Sequence, residues 1–235
     1  MESVNLPIST SLRCSADRSV AVEDIDEGEE LFTIPYDSVL SVENSAFRRN
    51  NIQHVQSLES WPALVLTLIY EYGQGNQSRW APYLNLLPET LDTLMFWDEV
   101  ELAELQASTV VDKIGKEDAD KLFFQRLWPI AEAIPNVFGS YAPRFEGVGG
   151  KAEFLTLCHR MASLIFAYGF DLDPDISSEE EREISDDGSH MEEPPKGMVP
   201  LADLLNADGD LNNVTPSEVY QDSKLIQYAG SPGAR

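Results

Sequence analysis

Cysteine, histidine and basic residues are all scarce in this sequence. Two cysteines, Cys14 and Cys158, are too few for a disulfide framework or a four-cysteine zinc site, so a reducing compartment is the default. Sixteen Lys and Arg against 41 Asp and Glu leave a formal charge of −25. That balance excludes a conventional nucleic-acid-binding chain, which needs cations to displace phosphate counterions. It equally excludes a basic anchor on an anionic membrane. The amino-terminal residues MESVNLPISTSLRCSADRS lack the apolar core of a secretory signal, and the longest apolar run, Trp61 to Tyr70, is too short to span a bilayer. The expectation is a soluble intracellular monomer with neither a nucleic-acid nor a membrane partner.

What is present is a globular composition: 43% hydrophobic and 9% aromatic in 235 residues, enough for one large domain or two small ones. The negative charge is uneven. Asp171 to Glu193 holds eleven acids and one base, Arg182, and ends before Pro194-Pro195. With few large apolar residues to offset the entropy of ordering, about Ile176 to Lys196 reads as a flexible spacer, or as a docking segment for basic partners.

Before the spacer the pattern falls into two parts. Ser19–Val22 and Glu30–Pro35 read as short strands joined by a turn at Asp26-Glu27-Gly28, which suggests a small β-sheet unit. From Asn44 to Phe170 the period is helical. Trp61-Pro62 opens an apolar helix ending near Gly73-Gln74-Gly75, and a loop with Trp80, Pro82 and Pro88 follows. Glu99–Lys113 and Asp118–Ala133 repeat apolar residues at three- and four-residue spacing, and Phe154–Phe170, behind the Gly149-Gly150 hinge, is apolar on most sides. After the spacer, Met198–Asp208 is an apolar run interrupted by Asp203. The final Tyr228–Arg235 shows no core-forming pattern, so the chain is expected to stop without a strong last element.

The common chemical motifs fail on spacing. Asp171, Asp173 and Asp175 have the first acids of a calcium loop, but Ile176 stands where the loop needs Gly and Arg182 where it needs Glu. The stretch from Asp208 fails in the same way. No nucleophile elbow, Walker loop or dinucleotide glycine fingerprint occurs. His190 falls in the spacer, His54 in a polar stretch and His159 on a core-like helix, where a satisfied structural histidine is the better reading. No metal site is expected. Asp203 stands out because an acid inside an apolar run is costly unless hydrogen-bonded, although taken alone it reads better as a cap; Asn206 likewise reads as a cap or turn residue.

Three stretches together resemble one family: Glu23–Ser41, Ser78–Leu105 with its W-x-P-Y-L-x-L-L-P block, and Met198–Asn213. They resemble the SET-domain protein-lysine methyltransferases, in the group containing the Rubisco large-subunit methyltransferase and the fungal ribosomal-protein lysine methyltransferases. The resemblance implies an α+β SET fold split by a long helical insertion: residues 1–43 as the first part, 44–175 as the insertion, 176–197 as the spacer, 198–213 as the cofactor motif and 214–235 as a divergent tail. It implies S-adenosyl-L-methionine as cofactor and a ribosomal or other basic nuclear protein as substrate, in the nucleus or cytoplasm. The alternative is a non-catalytic acidic module that holds basic proteins.

Site residues follow from the resemblance position by position. Ser15-Ala16-Asp17-Arg18 resembles the family's Gly-x-Gly cofactor loop but has neither glycine, which puts side chains where backbone should approach the cofactor. Asp203, Leu204, Leu205, Asn206 and Ala207 resemble the D-x-x-N-H segment, with Ala207 in place of His. Tyr168 falls where relatives place a cofactor-side residue, or it packs in the core. The family's catalytic Tyr segment has no counterpart; Tyr228-Ala229-Gly230 is a faint echo of it. No catalytic residue is therefore assigned. The expectation is a C-terminally truncated family member with weak or absent turnover.

Overall fold

The computed structural model describes residues 8, 9, 12–14, 19–26, 28–105, 108–146, 149–172, 194–205, 214–220 and 225–230. Two compact units emerge, one of residues 41–169 and one combining 1–40 with 170–235.

The first of these is helical. The helices are α1 (Ala46–Val55), α2 (Ser60–Gln74), α3 (Ala81–Leu84), α4 (Glu99–Ala103), α5 (Lys116–Leu122), α6 (Trp128–Ala133) and α7 (Gly150–Tyr168), and a kinked 3-10 stretch, Pro135–Phe145, joins the last two. A π-helical stretch, Phe123–Leu127, runs between α5 and α6. The α2 sequence is apolar on nearly every side and accordingly lies inside, with Pro62 through Ile69 all buried. Pro62 is tolerated because it falls in the first turn, where no intrahelical bond is lost. Aromatic rings continue from α1 through the unit. Phe47 meets Phe138, Phe138 meets Phe145, Phe145 meets Phe154 and Phe154 meets Trp128, with ring centroids 5.2 to 5.7 Å apart. Such tilted contacts add to the area they bury.

Close backbone approach replaces side chains at one crossing. A Cβ on Gly73 of α2 would strike the Phe138 carbonyl, and one on Gly139 would strike the Gly73 carbonyl. Gly139 also has φ +55°, a conformation that disfavours any residue with a Cβ. Inside the same unit Glu71 is 3% exposed and accepts from Ser45 Oγ and Ser78 Oγ, each at 2.6 Å. The two serines in turn accept from the Phe47 and Trp80 amides, so the buried carboxylate ties two chain turns together.

The second unit carries most of the strands. Strands β1 (Leu12–Cys14) and β2 (Ser19–Ala21) form a hairpin. β3 (Glu30–Pro35) pairs antiparallel with β8 (Leu225–Gly230), which also pairs with β7 (Val214–Tyr220), giving the order β3-β8-β7. A third sheet has the order β4-β6-β5, with β4 Leu40–Ser41, β5 Gly169–Asp171 and β6 Lys196–Met198. Leu31, Phe32, Ile34, Val39, Leu172, Val199 and Ala202 make the core here.

Several expectations need correcting. β2 and β3 do not pair with each other; each finds another partner. The Glu99–Lys113 helix shrinks to Glu99–Ala103 and a single turn at Val111–Lys113, because nothing of that face is buried and the sequence turns β-branched at Thr109-Val110-Val111. The loop around Pro82 contains α3. The late helix runs from Gly150 to Tyr168, and Phe170 belongs to β5. The tail does contain strong elements, since β7 and β8 lie there; cross-strand pairing stabilises residues whose own sequence has no clean alternation. The spacer cannot extend to Lys196, which starts β6, and Pro195 already accepts from the Leu172 amide at 2.7 Å. The remaining spacer residues before Pro194 lie outside the described residues.

Candidate functional site

The segment that the sequence singles out begins on β6. Gly197 packs closely there: a Cβ would stand 2.8 Å from Leu172 Cδ1 and 2.9 Å from Val39 Cγ1, so those side chains would have to move. Met198 and Val199 follow, both fully buried. At Leu201 the backbone turns sharply, with φ 75° and ψ −40°, and among the described residues no other non-glycine has positive φ. That conformation is strained for a residue with a Cβ, by roughly 1–3 kcal/mol, and persists only when its surroundings over-determine it. They do so here: Val199 and Ala202 anchor the chain in the core on either side, and Leu201 itself packs against that core.

The turn then tightens into one 3-10 helical turn, Ala202–Leu204. The Asp203 amide donates to Val199 O at 3.4 Å, the Leu204 amide to Leu201 O and the Leu205 amide to Ala202 O, both at 3.1 Å. Asp203, Leu204 and Leu205 are half-buried. The structure thus brings these three expected site residues together on a short turn pinned at both ends. Across β5 and β6, Lys196 Nζ holds Asp171 Oδ1 at 2.6 Å and so braces the strand that leads into it.

Other expected positions are placed differently. Tyr168 is the half-buried last residue of α7, in the helical unit. The chain leaves the helix at Gly169, whose backbone is extended (φ −83°, ψ 154°) and where a Cβ would approach Ile165 O to 2.5 Å. Ala16, Asp17, Arg18, Asn206 and Ala207 lie outside the described residues. Leu201 was missed: a leucine in an apolar run signals core, and no local pattern announces a left-handed backbone.

His159, which the sequence suggests is a satisfied structural histidine, is only half satisfied among the described residues, because its buried Nδ1 has no hydrogen-bond partner. It is buried on α7, its Nε2 lies 2.6 Å from Asp120 Oδ1, and its ring meets Phe123 edge-on. Beside it, burial pushes the Cys158 thiol well up, which removes it as a ready nucleophile. Among the described residues no group of three or more His, Cys, Asp or Glu is arranged to hold a metal ion, and no helix is long and apolar enough to cross a membrane.

Comparison with known proteins gives a consistent result. No family model matches the chain. Ribosomal lysine N-methyltransferase 4 of Saccharomyces cerevisiae is 35% identical over 199 residues, 80% of this chain and 38% of that protein. N-lysine methyltransferase setd6 of Xenopus laevis is 31% identical over 205 residues, 85% of this chain and 42% of that one. The crystal structure of the SET domain of LSMT bound to lysine and AdoHcy superposes with a TM-score of 0.63 at 19% identity, covering 95% of this chain and 46% of the other. Rubisco LSMT bound to AdoMet gives 0.61 at 20% identity. The chain therefore has the SET-domain fold, and it spans less than half the length of these relatives.

Proposed function

We propose, from the premise that this chain belongs to the SET-domain protein-lysine methyltransferases, that it serves S-adenosyl-L-methionine-dependent methylation of a protein lysine. The observation that carries the reading is the strained Leu201 turn, which pins the D-L-L part of the family's cofactor segment at the end of β6.

The residues present fit such a cofactor. Leu204 and Leu205 offer half-exposed apolar surface suited to a purine, and Asp203 offers a carboxylate suited to a hydroxyl or ammonium group. Asp203 to Ala207, with Ala16 to Arg18, are the residues we assign to holding it. When bound, S-adenosylmethionine would supply a sulfonium methyl carbon to which an unprotonated lysine amine bonds in line as the carbon–sulfur bond breaks, releasing the thioether and, after loss of a proton from nitrogen, methyl-lysine. The chain's own contribution is positional. The turn is fixed before anything binds, so little ordering entropy remains to be lost on binding. No metal is needed.

The substrate we assign is a ribosomal or other basic protein, in the nucleus or cytoplasm. The charge of −25 draws a lysine-rich partner by long-range attraction, and the yeast relative is named for ribosomal lysine methylation. By domain, we assign 44–175 to the insertion and 198–213 to the cofactor segment.

The test is calorimetry with S-adenosylmethionine followed by transfer of a labelled methyl group to purified ribosomal proteins. Saturable binding that weakens about tenfold in Asp203→Ala, an effect of about 1.4 kcal/mol, supports the reading. No cofactor binding, together with tight, salt-sensitive binding of a basic peptide, would identify a non-catalytic module instead.

A further inference from the structure

The stretch from Leu86 to Leu105 is dense in large apolar side chains, yet only Leu87 among them is buried. Leu86, Phe96 and Val100 are 64%, 38% and 75% exposed. The same stretch holds six acids, and no Lys or Arg occurs between Arg79 and Lys113. Three of the acids order the stretch itself. Asp98 Oδ1 accepts from the Val100 and Glu101 amides at 2.8 and 2.9 Å, Glu101 Oε2 accepts from the Asp98 amide at 2.8 Å, and Asp92 Oδ1 accepts from Trp97 Nε1 at 2.9 Å. The other three, Glu89, Glu99 and Glu104, are exposed. Helix α4 has no buried residue at all. A helix this short is marginal unless capped or packed, and here a full capping box holds it while its apolar members face no core.

We propose that Leu86–Leu105 is a docking surface for a basic segment of the protein substrate that also carries aliphatic or aromatic residues. Charge selects the occupant. A second copy of this chain would set acid against acid, whereas a cationic apolar segment satisfies both features at once. This rests on the methyltransferase reading, because it assigns the surface to the substrate, at a segment distinct from the lysine that is modified.

The probe is a fluorescent peptide of about 18 residues with Lys and Leu at helical spacing, titrated against the whole chain without cofactor. Two variants are compared, Glu89→Lys with Glu104→Lys, and Leu86→Ser with Val100→Ser; all four positions are exposed, and circular dichroism checks that the fold is kept. Each variant is expected to weaken binding by about tenfold or more, and a Lys/Ser peptide of equal charge to bind about tenfold more weakly than the Lys/Leu peptide. On protein substrates the variants raise KM and leave kcat unchanged. Equal binding by the variants and the parent overturns the proposal, since attraction to the −25 charge as a whole would then account for it. A dimer that the Leu86→Ser, Val100→Ser variant dissolves, or solvent protection of Phe96 and Val100 in the free chain, also overturns it by showing another occupant. Absence of cofactor binding would instead sink the methyltransferase reading while leaving the peptide result to stand or fall separately.

Discussion

In the helical unit every core residue comes from one continuous stretch, 41–169, whereas the strand unit gathers Leu31, Phe32 and Ile34 from one side of that stretch and Val199, Ala202 and β8 from the other. The first arrangement closes short loops and can fill its interior with interlocking rings. The second must join segments far apart in sequence before any core residue is buried, and its conformational strain collects at Leu201. The difference teaches that packing and strain are divided: a locally built body carries the interlocked rings, and a non-locally built one carries the strained backbone.

The sharpest way to test that division is to open the ring series. Phe154→Ala removes a fully buried ring in contact with Trp128 and Phe145, and should cost about 3–5 kcal/mol in urea denaturation. A loss below about 1 kcal/mol would mean that the rings are not what holds the body together. High pH should weaken the same unit. Burial pushes the Tyr72 phenol up to about 12. An unfolded tyrosine ionises near pH 10, so between about pH 10 and 12 the unfolded chain releases a proton that the native chain keeps. Native stability tied to Tyr72 is therefore fully present below pH 10 and is lost as pH rises through that window; Tyr72→Phe should flatten this part of the melting-temperature profile.

A smaller effect probes the strand unit. Leu201→Ile keeps the volume but places a β-branched residue at positive φ, and should cost about 1–2 kcal/mol, whereas Leu201→Gly should stay within about 1 kcal/mol as strain relief offsets lost packing. If Ile is tolerated as well as Gly, the turn is not strained as described. The smallest effect belongs to α4. Asp98→Ala removes its cap, worth about 1 kcal/mol to the helix, yet should leave the melting temperature unchanged because α4 buries nothing. Fast amide exchange at Val100 and Glu101 would be the only sign.

How much of this was legible beforehand depended on how locally each feature is determined. The α2 helix could be read almost to the residue, because Pro62 and Gly75 bracket an apolar run. β3 was legible from Leu31, Phe32 and Ile34 alone. The partners of β2 and β3 were not, since pairing is decided by residues elsewhere in the chain. β7 and β8 escaped for the same reason: Val214-Thr215-Pro216-Ser217 carries no alternation, and its strand character comes from β8 beside it. At the candidate site, the oddity of Asp203 was visible as charge in an apolar run. The left-handed backbone at Leu201 was invisible, because nothing in a leucine's neighbours encodes its φ.

The central place of β8 has a consequence for how the protein is made. Ile34 of β3 pairs with Ile226 of β8, which leaves the ribosome about 190 residues later, or some 10–40 seconds at ordinary elongation rates of about 5–20 residues per second. During that interval Leu31, Phe32 and Ile34 wait without their neighbouring strand, while residues 41–169 are already complete and free to collapse. A nascent chain of this design offers an unpaired apolar edge to whatever is nearby. Its yield in the cell should therefore depend on chaperones that shield β3 until β8 emerges.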